Sequence, residues 1–227
     1  MTQITKRGAG RPRKALLDRD RIGVVALELV DASGDFTLPE LARRLGVQTA
    51  SLYHHVDGRA GVIELLREQV SGAMDPTTLD DEPWDVALAR FFRSYRQVFA
   101  AHPRVVPLLT TATIRSASVI HAYDRMVARL EEAGIPPEKA MRILTALDNF
   151  VIGSALDLAA PDVMWEVPEG VVVPALSAAL AAQPVNRKRA DEAFEEGLGR
   201  LLASVAAEFG LVGAAATSEA SEASEAS

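Results

Sequence analysis

The chain has 227 residues, 48% of them hydrophobic and 24% charged, which is typical of an ordinary globular protein and argues against a disordered or fibrous one. The formal net charge of -7 argues against a protein whose whole surface binds nucleic acid, although a local basic patch is compatible with that total. The absence of cysteine excludes disulfides, thiolate nucleophiles and cysteine-based metal sites, and it fits a cytoplasmic location.

The N-terminal segment, residues 1–17, is basic and rich in helix-breaking residues. It contains two glycines, Pro12 and no acidic residue before Asp18, so a flexible basic arm is predicted. The segment lacks the apolar core of a secretory signal. The apolar runs of the chain fall short of the ~20 residues that a membrane helix needs, so no membrane partner is expected.

Helical spacing begins at Asp18. Apolar residues at 22, 25, 26 and 29 share one face of a first helix, which Gly34 closes. Thr37 then opens the sequence Thr-Leu-Pro-Glu, which has the spacing of a capping box and predicts a second helix that ends at Gly46. A short third helix is predicted over residues 48–55, and a fourth extends to about residue 72.

A composition change follows the fourth helix. The stretch "MDPTTLDDEP", residues 74–83, is the best boundary candidate, and beyond it helices are predicted over 84–101, 117–133, 137–160 and 188–209. The run "GVVVP" is the only β-branched one and has no strand to pair with. We therefore predict an all-α chain with domains at 18–72 and 73–211, and a disordered Ser/Glu/Ala tail over 212–227.

The second and third predicted helices have the layout of a helix-turn-helix reader of DNA. In such a unit the second helix enters the major groove, and its exposed side chains should be donors, acceptors or methyl-bearing groups. The stretch "VQTASLYHHV" offers such groups at residues 48–51, 53 and 54. The alternative is a solvated surface helix with Tyr53 packed into the core.

The stretch "FTLPELARRLGVQTASLYHHVDGRAGVIELL", residues 36–66, resembles the DNA-binding segment of the TetR family of repressors. The Leu-Gly-Val and Leu-Tyr-x-His elements and the following basic residue all occur in register. Asp57 and Gly58 stand where the family often has lysine or asparagine, which implies fewer phosphate contacts from that turn. With Gln48 from the helix layout, the resemblance implies these DNA-binding residues: Thr37, Gln48, Thr49, Ala50, Ser51, Tyr53, His54, His55 and Arg59.

The basic arm stands next to this predicted reader. Mobile arginine-rich arms can lie in the minor groove of DNA, where the negative potential is high, and a solubilising leader is the alternative. We expect the arm to assist DNA binding through Arg7, Arg11, Arg13 and Lys14.

The helical remainder is also similar to the tetracycline-repressor branch of the family. The resemblance rests on "PWDVALARFFRSYRQVFAAHPRVVPLL" and "RLEEAGIPPEKAMRILTALDNFVIGSAL". That branch holds the metal of a metal-drug complex with a histidine before a Thr-x-x turn, and the matching stretch "VVPLLTTAT" has none, so tetracycline is not the expected ligand.

A small-molecule effector is expected in this larger domain. Thr145, Asp148 and Asn149 lie at i, i+3 and i+4 on an otherwise apolar helix, where they could orient a ligand or bond to one another. The candidate ligand residues are Tyr95, His121, Thr145, Asp148, Asn149 and Trp165.

A DNA-binding domain this small needs a second copy to bind a palindromic operator tightly, so a homodimer is expected. The last long helix carries an apolar stripe suited to an interface, the alternative being that it fills the core of one monomer. The candidate interface residues are Phe194, Leu198, Leu201 and Val205.

Motifs for catalysis are missing. The chain has no His-Glu-x-x-His, glycine-rich phosphate loop or Gly-x-Ser-x-Gly element, and its four histidines are not spaced as metal ligands. We therefore expect no enzyme, no cofactor and no metal site. The prediction is an all-α regulator with an N-terminal three-helix helix-turn-helix domain and a larger antiparallel helical domain for ligand binding and dimerisation. The rivals are an architectural DNA-binding dimer without effector and a helical enzyme with a coincidental trihelical head.

Overall fold

The computed structural model describes residues 17–74, 79, 82–184 and 187–211. Across these residues the regular structure is entirely helical, which confirms the all-α prediction, and no helix there is long and apolar enough to cross a membrane. The predicted tail and the arm residues Arg7, Arg11, Arg13 and Lys14 lie outside the described residues. The helices are α1 (Arg19–Ser33), α2 (Leu38–Leu45), α3 (Thr49–Leu52), α4 (Gly58–Ser71), α5 (Trp84–Ala101), α6 (Val106–Thr110), α7 (Ala117–Glu132), α8 (Pro137–Leu158), α9 (Pro174–Ala182) and α10 (Arg187–Phe209).

The ends of α1 and α2 form as the sequence predicts. The carboxylate of Asp18 accepts the N–H of Arg21 at 2.8 Å, and the hydroxyl of Thr37 accepts the N–H of Glu40 at 3.2 Å. Gly34 and Gly46 close the two helices with φ of 85° and 72°, a left-handed conformation that glycine adopts without steric cost. Local side-chain chemistry therefore sets these boundaries.

The third helix is shorter than predicted. Regular α-helix ends at Leu52, and residues 53–55 form a turn in which the N–H of His54 and of His55 bond to carbonyls three residues back. The tighter turn brings Val56, which is 5% exposed, into the core under α4. The prediction of a helix through His55 was wrong for this reason, and the polar tips of residues 53–55 lie in a turn.

The core of α1–α4 continues into the helices that follow. Phe99, Val105, Val106 and Leu109 belong to the same cluster of buried side chains as the apolar residues of α1, α2 and α4. A 3₁₀ turn over Pro103–Val105 joins α5 to α6 and is held against the end of α1. There Nδ1 of His102 lies 2.8 Å from the carboxylate of Asp31, and Arg104 donates to the Asp31 carbonyl at 2.9 Å.

The second cluster of buried side chains lies among α5, α7, α8 and α10. Phe92, Met126, Leu144 and Leu147 are buried in it. Helix α8 is central because it packs against α5, α7 and α10.

Two predicted dimer residues are part of this core. Phe194 and Leu198 are 2% and 1% exposed within the single chain, and the ring of Phe194 stacks on Phe150 at a centroid distance of 5.7 Å. Their assignment to a dimer interface was therefore wrong, because α8 and α5 of the same chain already cover this stripe. Leu201 and Val205 are half-buried along the same helix.

Helix α9 was not predicted from the sequence. It begins at Pro174, directly after the β-branched run, and its residues are all exposed or half-buried. Its Ala-rich sequence supports helix without an amphipathic stripe, so it lacked the periodic signal by which the other helices were recognised.

Candidate functional site

The segment from α3 into the following turn presents polar groups to solvent. Tyr53 is 60% exposed, which shows that the alternative of a core tyrosine is wrong. Because Leu52 and Val56 are buried on the opposite side, the segment is fixed in place and its outer tips are free for contacts. The exposed residues are Gln48, Ala50, Tyr53 and His54, and the half-buried ones are Thr49, Ser51 and His55.

Two other predicted DNA-binding residues have structural partners. The hydroxyl of Thr37 caps α2 while the residue stays exposed. Arg59 donates to the carboxylate of Asp35 and to the carbonyl of Phe36, both at 2.6 Å, and its guanidinium lies 4.5 Å from the centroid of the Phe36 ring. The bond from Arg59 lowers the pKa of Asp35, helped by the Phe36 N–H. A guanidinium has five N–H groups, so a contact from Arg59 to DNA can use those that these two bonds leave over.

A cavity of about 220 Å³ lies between α4, α5, α6, α7 and α8. Four aromatic side chains from α5 and α7 form much of its wall, and two methionines, one from the segment after α4 and one from α7, fill further positions. Such a mostly apolar enclosure with few polar groups is typical of a small-molecule site. The aromatic and methionine lining is Phe91, Tyr95, Phe99, Tyr123, Met74 and Met126.

Asp148 of α8 is the acidic group among the described lining residues. Its Oδ2 accepts a bond from the hydroxyl of Tyr123 at 2.5 Å, whereas its Oδ1 is buried without a partner among the described residues. Burial raises the pKa of Asp148 to about 6, and the bond from Tyr123 limits the rise. The hydroxyl of Ser71 is likewise buried without a described partner, so two polar atoms of the wall have unused bonding capacity.

Burial also acts on the two tyrosines of the wall. It raises the pKa of Tyr95 and of Tyr123, and the nearby negative charge of Asp148 raises both further. Both phenols are therefore neutral donors at physiological pH.

Arg67 of α4 links the cavity wall to α6. It is 7% exposed, and its Nη2 donates to the carbonyls of Leu109 at 3.0 Å and Ala112 at 3.2 Å. Its Nε donates to Glu64 at 3.2 Å, and the other oxygen of Glu64 accepts the N–H of Arg115 at 2.9 Å. A residue of the α1–α4 unit therefore holds the end of α6 from inside the cavity wall.

The predicted ligand residues do not all meet at this cavity. Of the predicted residues, Tyr95 and Asp148 line it. Thr145 is exposed and donates to the carbonyl of Met141 in its own helix at 2.7 Å, and Asn149 and His121 are exposed. The predicted cluster holds only in part: adjacent helical positions point about 100° apart, so Asp148 and Asn149 face different surroundings, whereas Thr145 and Asp148 both line a neighbouring pocket beside α7.

Trp165 also lies away from the cavity. It is 50% exposed in the segment after α8, with the guanidinium of Arg189 at 5.4 Å from its ring centroid. Conversely, three residues of the cavity wall were not predicted from the sequence: Arg67, Ser71 and Tyr123. A signal existed only for Arg67, a charged residue among the apolar positions of α4.

No set of three or more His, Asp or Glu residues placed to hold a metal ion occurs in the part of the chain that the structure describes.

Comparison with known proteins matches both halves of this architecture. The family model described as "Tetracyclin repressor-like, C-terminal domain" matches residues 76–209. The tetracycline repressor protein class A from transposon 1721 of Escherichia coli is 28% identical over 190 residues, covering 80% of this chain and 87% of that protein. The HTH-type transcriptional repressor DrrR1 of Streptomyces coeruleorubidus is 25% identical over 154 residues and 66% of this chain.

The chain spans 57% of the length of DrrR1 and 61% of an HTH-type transcriptional regulator of Saccharopolyspora erythraea. Among solved structures, a possible TetR family transcriptional regulator from Streptomyces coelicolor A3(2) superposes with a TM-score of 0.68 at 26% identity, covering 84% of this chain and 99% of that one. The Streptomyces coelicolor protein ActR in complex with actinorhodin has a TM-score of 0.70 at 24% identity over 87% of this chain and 99% of its own, which supports the fold alone.

Proposed function

Because the chain belongs to the TetR family of transcriptional regulators, we propose that it is a homodimeric, cytoplasmic repressor that leaves a palindromic operator when a small molecule occupies its cavity. Members of this family are DNA-binding regulators and not enzymes. In this proposal residues 18–72 form the DNA-binding domain and residues 73–211 the effector-binding and dimerisation domain.

DNA binding is assigned to α3 and the turn after it. A phenol and an imidazole project into solvent from Tyr53 and His54, where they can reach phosphates or base edges, and Ala50 is exposed for contact with a thymine methyl. Thr49 and Ser51 contribute hydroxyls from the half-buried side. We assign the basic arm to the adjacent minor groove.

The observation that carries the regulatory part of the proposal is the position of Arg67. It belongs to α4, which packs on α1 and so on the DNA-reading unit, and it also forms part of the cavity wall and binds the carbonyls at the end of α6. A ligand that repacks this wall changes how α4 meets α6. Since two DNA-reading units must match successive turns of the duplex, a small shift of α4 in each copy changes their spacing and lowers operator affinity.

Dimerisation is assigned to the outer faces of α8 and α10. Met141, Asn149, Gly153 and Leu156 are exposed along one side of α8, and α10 exposes small residues such as Ala193, Gly199 and Ala203. Small side chains allow helices to approach closely, so these faces suit packing against the same helices of a second copy.

The effector is assigned to a ring-bearing molecule that fits the aromatic wall. The relatives named for tetracycline do not transfer that ligand to this chain, because the described cavity lining contains no histidine to bind the metal of a metal-drug complex.

The direct test is an electrophoretic mobility shift with the DNA upstream of the gene, at a fixed ionic strength near about 0.15 M and with excess nonspecific competitor. Tyr53→Ala should weaken specific binding about tenfold or more, since each copy of a dimer loses a contact, while circular dichroism stays unchanged. Trp165→Ala removes another half-exposed aromatic outside α3 and should bind DNA as the wild type does. Equal loss in both variants, or none in Tyr53→Ala, would contradict the assignment.

A further inference from the structure

We propose that the cavity selects aromatic ligands carrying a hydrogen-bond donor, a hydroxyl or a protonated amine, and holds that donor on Oδ1 of Asp148. The inference rests on the proposed role of the cavity as the effector site and specifies the chemistry that the effector must bring. It assigns the selectivity to one side chain of α8, so it can be tested without knowing the natural effector.

The orientation of Asp148 is fixed by one of its two oxygens. Tyr123 donates to Oδ2, which leaves Oδ1 of this cavity-lining residue buried and without a described partner. A buried acceptor without a partner is unfavourable, so a bound donor that reaches Oδ1 gains more here than it would at a solvated carboxylate. The aromatic rings around it supply the apolar contacts for the body of the ligand.

The charges around the cavity favour a donor over an anion. The positive charge of Arg67 is balanced by Glu64, whose carboxylate bonds to its Nε, and its Nη2 already donates to two carbonyls. Tyr95 and Tyr123 are neutral because burial raises their pKa values. The carboxylate of Asp148 is therefore the unbalanced charge of the described wall, and a ligand carboxylate placed against it would be repelled.

The ionisation of Asp148 predicts that ligand affinity depends on pH. Its pKa is raised to about 6, and the ionisable groups around it are Tyr123 and Asp124 on α7, Tyr95 on α5 and Arg67 on α4. A protonated amine favours the ionised carboxylate, so proton and ligand compete for Asp148. Affinity for the amine should therefore fall as the pH falls through about 6, whereas affinity for an uncharged ether, which has no donor, should not change.

Four naphthalene probes of matched shape test the selectivity by calorimetry or competition fluorescence on the full chain. 2-Naphthol and 2-naphthylmethylamine carry a donor, 2-methoxynaphthalene blocks it, and 2-naphthoate replaces it with an anion. The naphthol and the amine should bind about tenfold more tightly than the ether and the carboxylate at a pH well above 6.

Asp148→Asn is the decisive variant. Tyr123 can still donate to the amide oxygen, which leaves the amide NH₂ at the position of Oδ1 and replaces an acceptor with a donor. The preference for the naphthol and the amine should disappear, and naphthoate should gain affinity. Asp162→Asn makes the same change at an exposed carboxylate in the segment after α8 and should leave all four affinities as in the wild type.

Three results would overturn the inference: equal binding of 2-naphthol and its methyl ether, a donor preference that survives in Asp148→Asn with its fold shown intact by near-UV circular dichroism, or no binding of any probe. None of these results affects the outcome of the mobility-shift test, because operator binding is measured without a probe. Loss of operator recognition in the wild-type chain would instead contradict the proposed function.

Discussion

Replacing Arg67 with methionine tests how strongly the cavity wall holds α4 to α6. Methionine keeps an unbranched apolar stem of similar length and removes every donor. The substitution removes the bonds that the buried guanidinium makes to the carbonyls of Leu109 and Ala112, and its pairing with Glu64. The carboxylate of Glu64 still accepts the N–H of Arg115. Nη2 carries two hydrogens, one for each carbonyl, so two charge-assisted bonds of about 1.5 kcal/mol each are lost, and the free energy of unfolding should fall by about 3 kcal/mol.

The measurement is urea unfolding followed by circular dichroism at one fixed protein concentration, because dimerisation makes apparent stability depend on concentration. For a chain of this size the loss corresponds to a decrease in Tm of about 6–12 °C. A slope of the unfolding free energy against urea equal to that of the wild type would show that the compactness of the two end states is unchanged.

Arg93→Met is the matched control. Arg93 makes three bonds to the carboxylate of Glu195, between 2.7 and 3.0 Å, but the two side chains are 52% and 47% exposed. Solvent screens such a pair, so its loss should lower the free energy of unfolding by less than about 1 kcal/mol. If the two variants lose equal stability, burial is not what makes Arg67 important, and the proposed link through α4 loses its physical basis.

Three further changes test other parts of the structure. Burial raises the pKa of Asp148 from 3.8 to about 6, so its ionisation opposes folding as the pH rises through that window. Asp148→Asn removes this effect, so the variant's gain in free energy of unfolding over the wild type, measured by urea titration, should be about 2 kcal/mol larger above pH 6 than near pH 4. A gain independent of pH would contradict this. Gly46→Ala should lower the free energy of unfolding by about 1 kcal/mol in the same assay, because φ is 72° there. No atom lies within 4 Å of an added Cβ, so the cost is purely conformational, and an unchanged midpoint would refute it. Gly153→Arg should give a monomer in sedimentation experiments because it places a long charged side chain on the outer face of α8, at a position where an added Cβ has no atom within 4 Å. Ala101→Arg, at an exposed position of α5, should remain a dimer, and two dimers would exclude that face.

The sequence predicts best those features that depend on neighbouring residues. The capping box at Thr37 and the left-handed closures at Gly34 and Gly46 involve atoms only a few residues apart, so the pattern contains all the information needed. The predicted C-terminal end of the third helix was wrong because the length of that helix depends on the burial of Val56 beneath α4, which is a tertiary contact.

The site was predicted only in part, since it is assembled from distant elements. Asp148 was recognised as a polar position among apolar ones and Tyr95 was named as a further candidate, but the sequence does not show that Tyr123, 25 residues away, bonds to Asp148. The same limit explains Phe194 and Leu198: an apolar stripe must be covered, yet periodicity does not tell whether the cover comes from the same chain or from a second copy.

The continuity of the first core with the turn at Pro103–Val105 limits how this regulator can be recombined with others. Val105, Val106 and Leu109 fill the core that α1 and α4 build, and Arg104 bonds to backbone carbonyls at the end of α1. A chimera joined in the stretch between α4 and α5 would place another protein's side chains in that core and leave the α1 carbonyls without their guanidinium. Residues 102–112 therefore have to be transplanted together with the DNA-reading helices if a hybrid regulator is to fold and respond.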